Sequence, residues 1–182
     1  MEMRELGLGG VLEIRPDRHG DSRGFFSETY NRSRLENSGI RLEFVQDNFS
    51  YSRHKGVLRG LHYQLPPAAQ DKLVRVSRGS ILDVAVDIRR NSPSFGASVS
   101  LVVSADAWNQ IFIPKGFAHG FLTLEDDTEV VYKVTDYYSP QHDRAIRFDD
   151  PDINIEWPVA RADIVMSDKD RAAPLLADAE TF

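Results

Sequence analysis

The chain has 182 residues and no cysteine, with 22 lysines and arginines against 28 aspartates and glutamates for a net charge of −6. The missing cysteine excludes a disulfide scaffold, a zinc–thiolate site and a thiol nucleophile, and the acidic balance argues against a general nucleic-acid or anionic-membrane surface. MEMRELGLGG at the start lacks the apolar stretch of a signal peptide, and no segment approaches the ~20 apolar residues of a membrane helix, so one cytoplasmic domain over residues 1–182 is expected.

In chain order, GVLEI at 10–14 reads as a strand, RPDRHGDSRG as a polar turn and FFSETY at 25–30 as a second strand. NRSRLENSG at 31–39 predicts two helical turns ended by Gly39. VLRGLHY at 57–63 and KLVRVS at 72–77 flank the loop QLPPAAQD. SILDVAVDI at 80–88 alternates, with Leu82, Val84, Val86 and Ile88 on one face and Asp83 and Asp87 on the other. SVSLVVS at 98–104, NQIFI at 109–113, GFLTL at 120–124 and TEVVYKVT at 128–135 continue the series. SDKDRAAPLLADA near the end has a helix cap in Ser167 and a breaker in Pro174. About ten short strands at close spacing predict an all-β sandwich or barrel with one solvated and one packed face, and a mouth open to one small ligand.

The informative residues are polar ones at positions the alternation makes inward. In RGLHYQ, strict alternation puts His62 with Leu58 and Arg59 on the opposite face, and Gly60 between them is a place for a bulge that re-aims one of the two. The bland reading is a core histidine beside a surface arginine. Lys72 shares parity with Val74 and Val76; a buried-face lysine is rare unless paired, though at a strand's first residue it can reach water. Tyr132 lies between Val130 and Val134, as packing or as a hydroxyl aimed inward. His119, in IPKGFAHGF, reads as a turn histidine. Arg23 and Glu28 read as part of a solvated hairpin, and SDKD at 167–170 as a capped helix start.

Taken together, RGLHYQ, KLVRVSRGSILDVAVDIR, IPKGFAHGF, TDYYSP and SDKD closely resemble the dTDP-4-dehydrorhamnose 3,5-epimerases, from about Gly20 to about Asp170. The resemblance implies a cupin-type β-jelly-roll with a few short helices, and a homodimer that exchanges N-terminal strands. The implied substrate is a dTDP-linked 4-keto-6-deoxyhexose, with no nucleic-acid or membrane partner. It implies His62 as base, Asp170 as its carboxylate partner, Tyr132 as the acid on the opposite side and Lys72 as the group facing the sugar carbonyl. Arg23, Phe26, Glu28, Gln46, Asp47, Asn48, Arg59, His119 and Lys169 match positions for nucleotide and sugar contacts, and Tyr138 an aromatic that stacks on the base. Asp143 stands where the family often has a longer acid.

Epimerisation beside a ketone is proton exchange, so no redox cofactor is expected. Many cupins hold a metal through H-x-H and a glutamate; here only His62 stands in that place, with Gly60 and Gln64 at the partner positions, and no functional metal is expected. Single-carbon epimerisation, keto-isomerisation, or non-catalytic binding of a nucleotide sugar are the alternatives.

Overall fold

A computed structural model describes residues 1–182. Its thirteen strands are β1 Glu2–Glu5, β2 Leu12–Arg15, β3 His19–Asp21, β4 Gly24–Phe26, β5 Gln46–Ser52, β6 Leu58–Gln64, β7 Lys72–Arg78, β8 Ser80–Asp87, β9 Ser98–Ser104, β10 Gln110–Ile113, β11 Phe117–Thr123, β12 Thr128–Val134 and β13 Asp143–Ala145. The short helices are α1 Arg32–Asn37 and α2 Asp168–Arg171. A six-stranded sheet in the order β1-β2-β10-β7-β12-β5 faces a five-stranded sheet in the order β13-β6-β11-β8-β9, and β3 and β4 form a separate hairpin. This is the expected all-β sandwich.

Between the sheets, Val74, Val76, Ile111, Ile113 and Val130 pack on Ile81, Ala85, Val103, Phe117 and Phe121. The expectation of one solvated face does not hold. The C-terminal segment lays Ile153, Leu176 and Ala179 over the outside of the five-stranded sheet, on Leu61, Val84, Val86 and Ile88. Helix α1 and the segment after it lay Leu35 and Ile40 over the other sheet, on Ile14, Leu73 and Phe112. For β8 this decides what the alternation left open. The Val84–Ile88 face is the outer one, sealed by the tail, and Asp83 and Asp87 lie in the interior at 0 % exposure.

The helix ends follow their local chemistry. Asn31 caps α1 by accepting from the Arg34 amide, and Gly39 follows with φ +94°. Ser167 caps α2 by accepting from the Asp170 amide at 3.1 Å. FFSETY, by contrast, is strand only through Phe26, and β1, β3, β5 and β13 are strands the alternation did not reveal.

The bulge at Gly60 is present. His62 pairs with His119 and Arg59 with Phe121, so three steps along β6 match two along β11. The extra residue turns Arg59 and His62 to the same side, which strict alternation forbids. Gly60 has φ +125°, and a Cβ there would lie 2.5 Å from Gly120 Cα and 2.7 Å from the His119 carbonyl oxygen. Gly60→Ala is therefore expected to lose about 2 kcal/mol or more of stability and to swing His62 out of the interior. Urea unfolding alongside an activity assay checks both effects.

Candidate active site

The bulge opens a cavity of about 480 Å³ between the sheets, lined by Arg59 and His62 from β6, Lys72 from β7, His119 and Phe121 from β11, Tyr132 from β12, Ser50 from β5, and Met166, Lys169 and Asp170 from the C-terminal side. A second hollow of about 300 Å³ shares His62, Lys72, Tyr132 and Lys169 with it and adds Gln46, Asn48, Tyr138 and Asp143. The two form one groove over a strand-built floor, of a size suited to an elongated small molecule.

His62 Nε2 lies 2.6 Å from Asp170 Oδ1. Facing a carboxylate, Nε2 carries the ring proton, which leaves Nδ1 as the basic nitrogen. Asp170 is buried, and its second oxygen accepts from the Gly60 amide at 3.4 Å. Burial alone pushes its carboxyl up. Hydrogen bonds and charge from His62, the Gly60 amide and Ser167 outweigh that and hold it below the usual carboxylate range. The bulge thus aims the histidine and supplies a donor to the acid that holds it.

Lys72 is 8 % exposed, and its Nζ donates to the His62 carbonyl oxygen at 3.2 Å. Burial brings its pKa down to about 8, with Asp83 and Asp143 acting the other way. At neutral pH it is an ammonium under strong pressure to find a negative oxygen. Burial raises the Tyr132 phenol, opposed by Arg59, so the hydroxyl keeps its proton. Arg59 is held by the Tyr51 carbonyl oxygen at 3.1 Å and Ser52 Oγ at 3.4 Å. Lys169 and Asp143 pair at 2.5 Å at the rim, with Tyr138 beside them.

His119 is not a turn residue. It lies inside β11, buried, with Nε2 2.9 and 3.1 Å from the two Asp83 oxygens. Asp83 is the polar group that the sequence reading left out of the site. Its only advance signal is an acid within an apolar strand, and the alternation alone does not say which face of that strand looks inward.

Four expected contact residues lie away from the groove. Arg23 is 88 % exposed and paired with Asp21. Phe26 is 67 % exposed on the β3–β4 hairpin, and Glu28 pairs with Arg34 at 3.3 Å. These three belong to a projecting arm that packs Phe25 on Trp108. Asp47 pairs with Lys133 at 3.2 Å, because the alternation of β5 sends Gln46 and Asn48 inward and Asp47 outward. β1 pairs with β2 of its own chain.

Gln64, at one H-x-H position, clamps loops instead, accepting from the Ser139 amide and donating to the Ala68 carbonyl oxygen. No three His, Asp or Glu side chains converge as a metal cage. No helix is long and apolar enough to cross a membrane.

A family model described as dTDP-4-dehydrorhamnose 3,5-epimerase matches residues 5–178. The chain belongs to this family. The enzyme is thus an epimerase, an isomerase of dTDP-sugar chemistry. It is 51 % identical to the dTDP-4-dehydrorhamnose 3,5-epimerase of Shigella flexneri, over 100 % of this chain and 99 % of the relative. The 3,5-epimerase of Legionella pneumophila Philadelphia 1, solved with dTDP-4-keto-L-rhamnose, superposes with a TM-score of 0.93 at 45 % identity, covering 98 % of this chain and 94 % of that one. ChmJ of Streptomyces bikiniensis, a 3′-monoepimerase solved with dTDP-quinovose, superposes with a TM-score of 0.87 at 34 % identity, covering 96 % and 88 %. The fold described above is therefore that of a nucleotide-sugar epimerase.

Proposed function

We propose that the enzyme epimerises dTDP-4-dehydro-6-deoxy-D-glucose at carbons 3 and 5, giving dTDP-4-dehydro-L-rhamnose. The observation that carries this is the gathering of His62–Asp170, Lys72 and Tyr132 around one cavity. The 4-keto group acidifies the C–H bonds at carbons 3 and 5 because their anions are enolates. His62 Nδ1 removes the proton; Asp170 holds the ring and stabilises the imidazolium that forms. Lys72 faces the carbonyl oxygen and stabilises the enolate as its charge develops. Tyr132 returns a proton from the opposite face, which inverts the carbon. Arg59 forks onto the diphosphate. Tyr138, with Gln46 and Asn48, takes the nucleotide end, and Lys169, steadied by Asp143, adds charge along the groove.

The same reading makes the enzyme a homodimer. Arg23, Phe26 and Glu28 sit on an arm that stands off its own groove, and in a dimer that exchanges N-terminal segments they would complete the groove of a second copy. With β1 closed on β2, the β3–β4 hairpin is the segment available for exchange.

Single-carbon epimerisation is the alternative, and the lower identity to the monoepimerase ranks it second. Tyr132→Phe tests the assignment. With the phenol gone, inversion at both carbons is expected to fall by about 10²-fold or more, while dTDP binding persists. Undiminished inversion at both carbons, read by proton NMR of the product, removes Tyr132 from the acid role.

A further inference from the structure

Asp83 is fully buried beside the reaction cavity, where a carboxylate is stable only with partners. Its direct partner is His119, through both oxygens. Burial holds His119 below the usual histidine range, with Lys72 and His62 adding to that and Asp83 opposing it. The ring is therefore neutral at neutral pH and gives Asp83 a hydrogen bond rather than a charge.

The charged and titratable groups around Lys72 are Arg59 and His62 from β6, Asp83 from β8, His119 from β11, Tyr132 from β12, Asp143 from β13, and Lys169 and Asp170 from α2. Three are carboxylates. Asp170 is committed to His62 at 2.6 Å and Asp143 to Lys169 at 2.5 Å. Only Asp83 has no cation of its own; its partner His119 lines the same cavity as Lys72, and its negative charge favours the protonated lysine.

We propose that Asp83 is a positioning residue for the reaction, holding His119 in the Nε2–H tautomer and keeping Lys72 an ammonium. In that tautomer Nδ1 is the acceptor nitrogen of His119, suited to a sugar hydroxyl. Lys72, with its charge sustained by Asp83, can face the developing enolate without giving up its proton. This rests on the cavity being the epimerase site.

The test is NMR on the full-length protein without substrate. In the wild type, ¹⁵N spectra are expected to show His119 protonated on Nε2 and bare on Nδ1; the opposite tautomer overturns the proposal. In Asp83→Asn, titration of ¹³Cε-labelled lysine is expected to move the Lys72 midpoint down by about one unit or more, the effect of one charge at short range in an effective dielectric of about 20. The alkaline limb of kcat/KM is expected to move with it, which a purely structural role would not cause. An unmoved or raised Lys72 midpoint overturns the proposal. If the variant does not fold, the wild-type tautomer decides: His119 protonated on Nε2 supports the proposal and the Nδ1–H form overturns it. The two NMR readouts need no turnover. A failure of the epimerase reading would appear separately, as absent turnover with both NMR results intact.

Discussion

Lys72→Met is expected to make the protein more stable and nearly inactive. In the unfolded chain a lysine titrates near ~10.4; in the fold Lys72 titrates at about 8. The folded state therefore releases this proton first. Between those two values the unfolded chain binds more protons, so wild-type stability gains from this group as pH rises across the window. Below pH 8 both states are charged, and the buried ammonium costs about 3 kcal/mol. Methionine fills a similar volume without the charge. After allowing for the lost hydrogen bond to the His62 carbonyl oxygen, about 2 kcal/mol of added stability at pH 7 is expected. The advantage should shrink towards pH 10. Turnover should fall about 10²- to 10³-fold, since the enolate loses its aligned cation. Urea unfolding at pH 7 and pH 9.5 measures the first effect; a variant less stable than wild type at pH 7 would contradict the account. In the wild type, kcat/KM is expected to decline above about pH 8 as Lys72 deprotonates.

The second large effect lies at the dyad. Asp170→Asn preserves shape but removes the charge that stabilises the His62 imidazolium, and kcat is expected to fall by about 10²–10⁴. His62→Ala goes further: the base is gone and Asp170 remains buried without its partner, so about 1–3 kcal/mol of stability should be lost with activity. The pH dependence carries a signature. Asp170 is held below the usual carboxylate range, chiefly by His62 acting against burial. Its contribution is full above the unfolded carboxylate value of about 3.9 and is lost as the pH falls through the lowered folded value. In His62→Ala that loss on acidification should be smaller. Thermal unfolding from pH 7 to pH 3 separates the two proteins.

How much of this was legible from residues depended on the strand. In β7 and β12 the apolar partners of Lys72 and Tyr132 are core residues, so alternation placed both side chains correctly. At β6, alternation alone separated Arg59 from His62, and the glycine between them marked where the rule would break. β5 escaped because its pattern is inverted: Gln46, Asn48 and Ser50 point inward, while Phe49 and Tyr51 point out and are exposed. A strand lining a polar groove has no apolar inner face to betray it. β8 misled for a related reason. The C-terminal segment buries the face that looks like the core side, which hides that Asp83 faces the interior, behind His119. The partnership of Asp170 with His62 spans 108 residues, and no local pattern predicts it; it came only from resemblance. The arm carrying Arg23 and Phe26 read as a solvated hairpin, and within one chain that is what it is.

The central claim is that one cavity exchanges protons at two carbons of a nucleotide-linked keto sugar through His62. Incubating the metal-stripped protein in heavy water with dTDP-4-keto-6-deoxyglucose, and following deuterium at carbons 3 and 5, tests it most directly. Label at both carbons, abolished in His62→Ala, is the predicted result. Label at one carbon alone, or label that survives loss of His62, would contradict it.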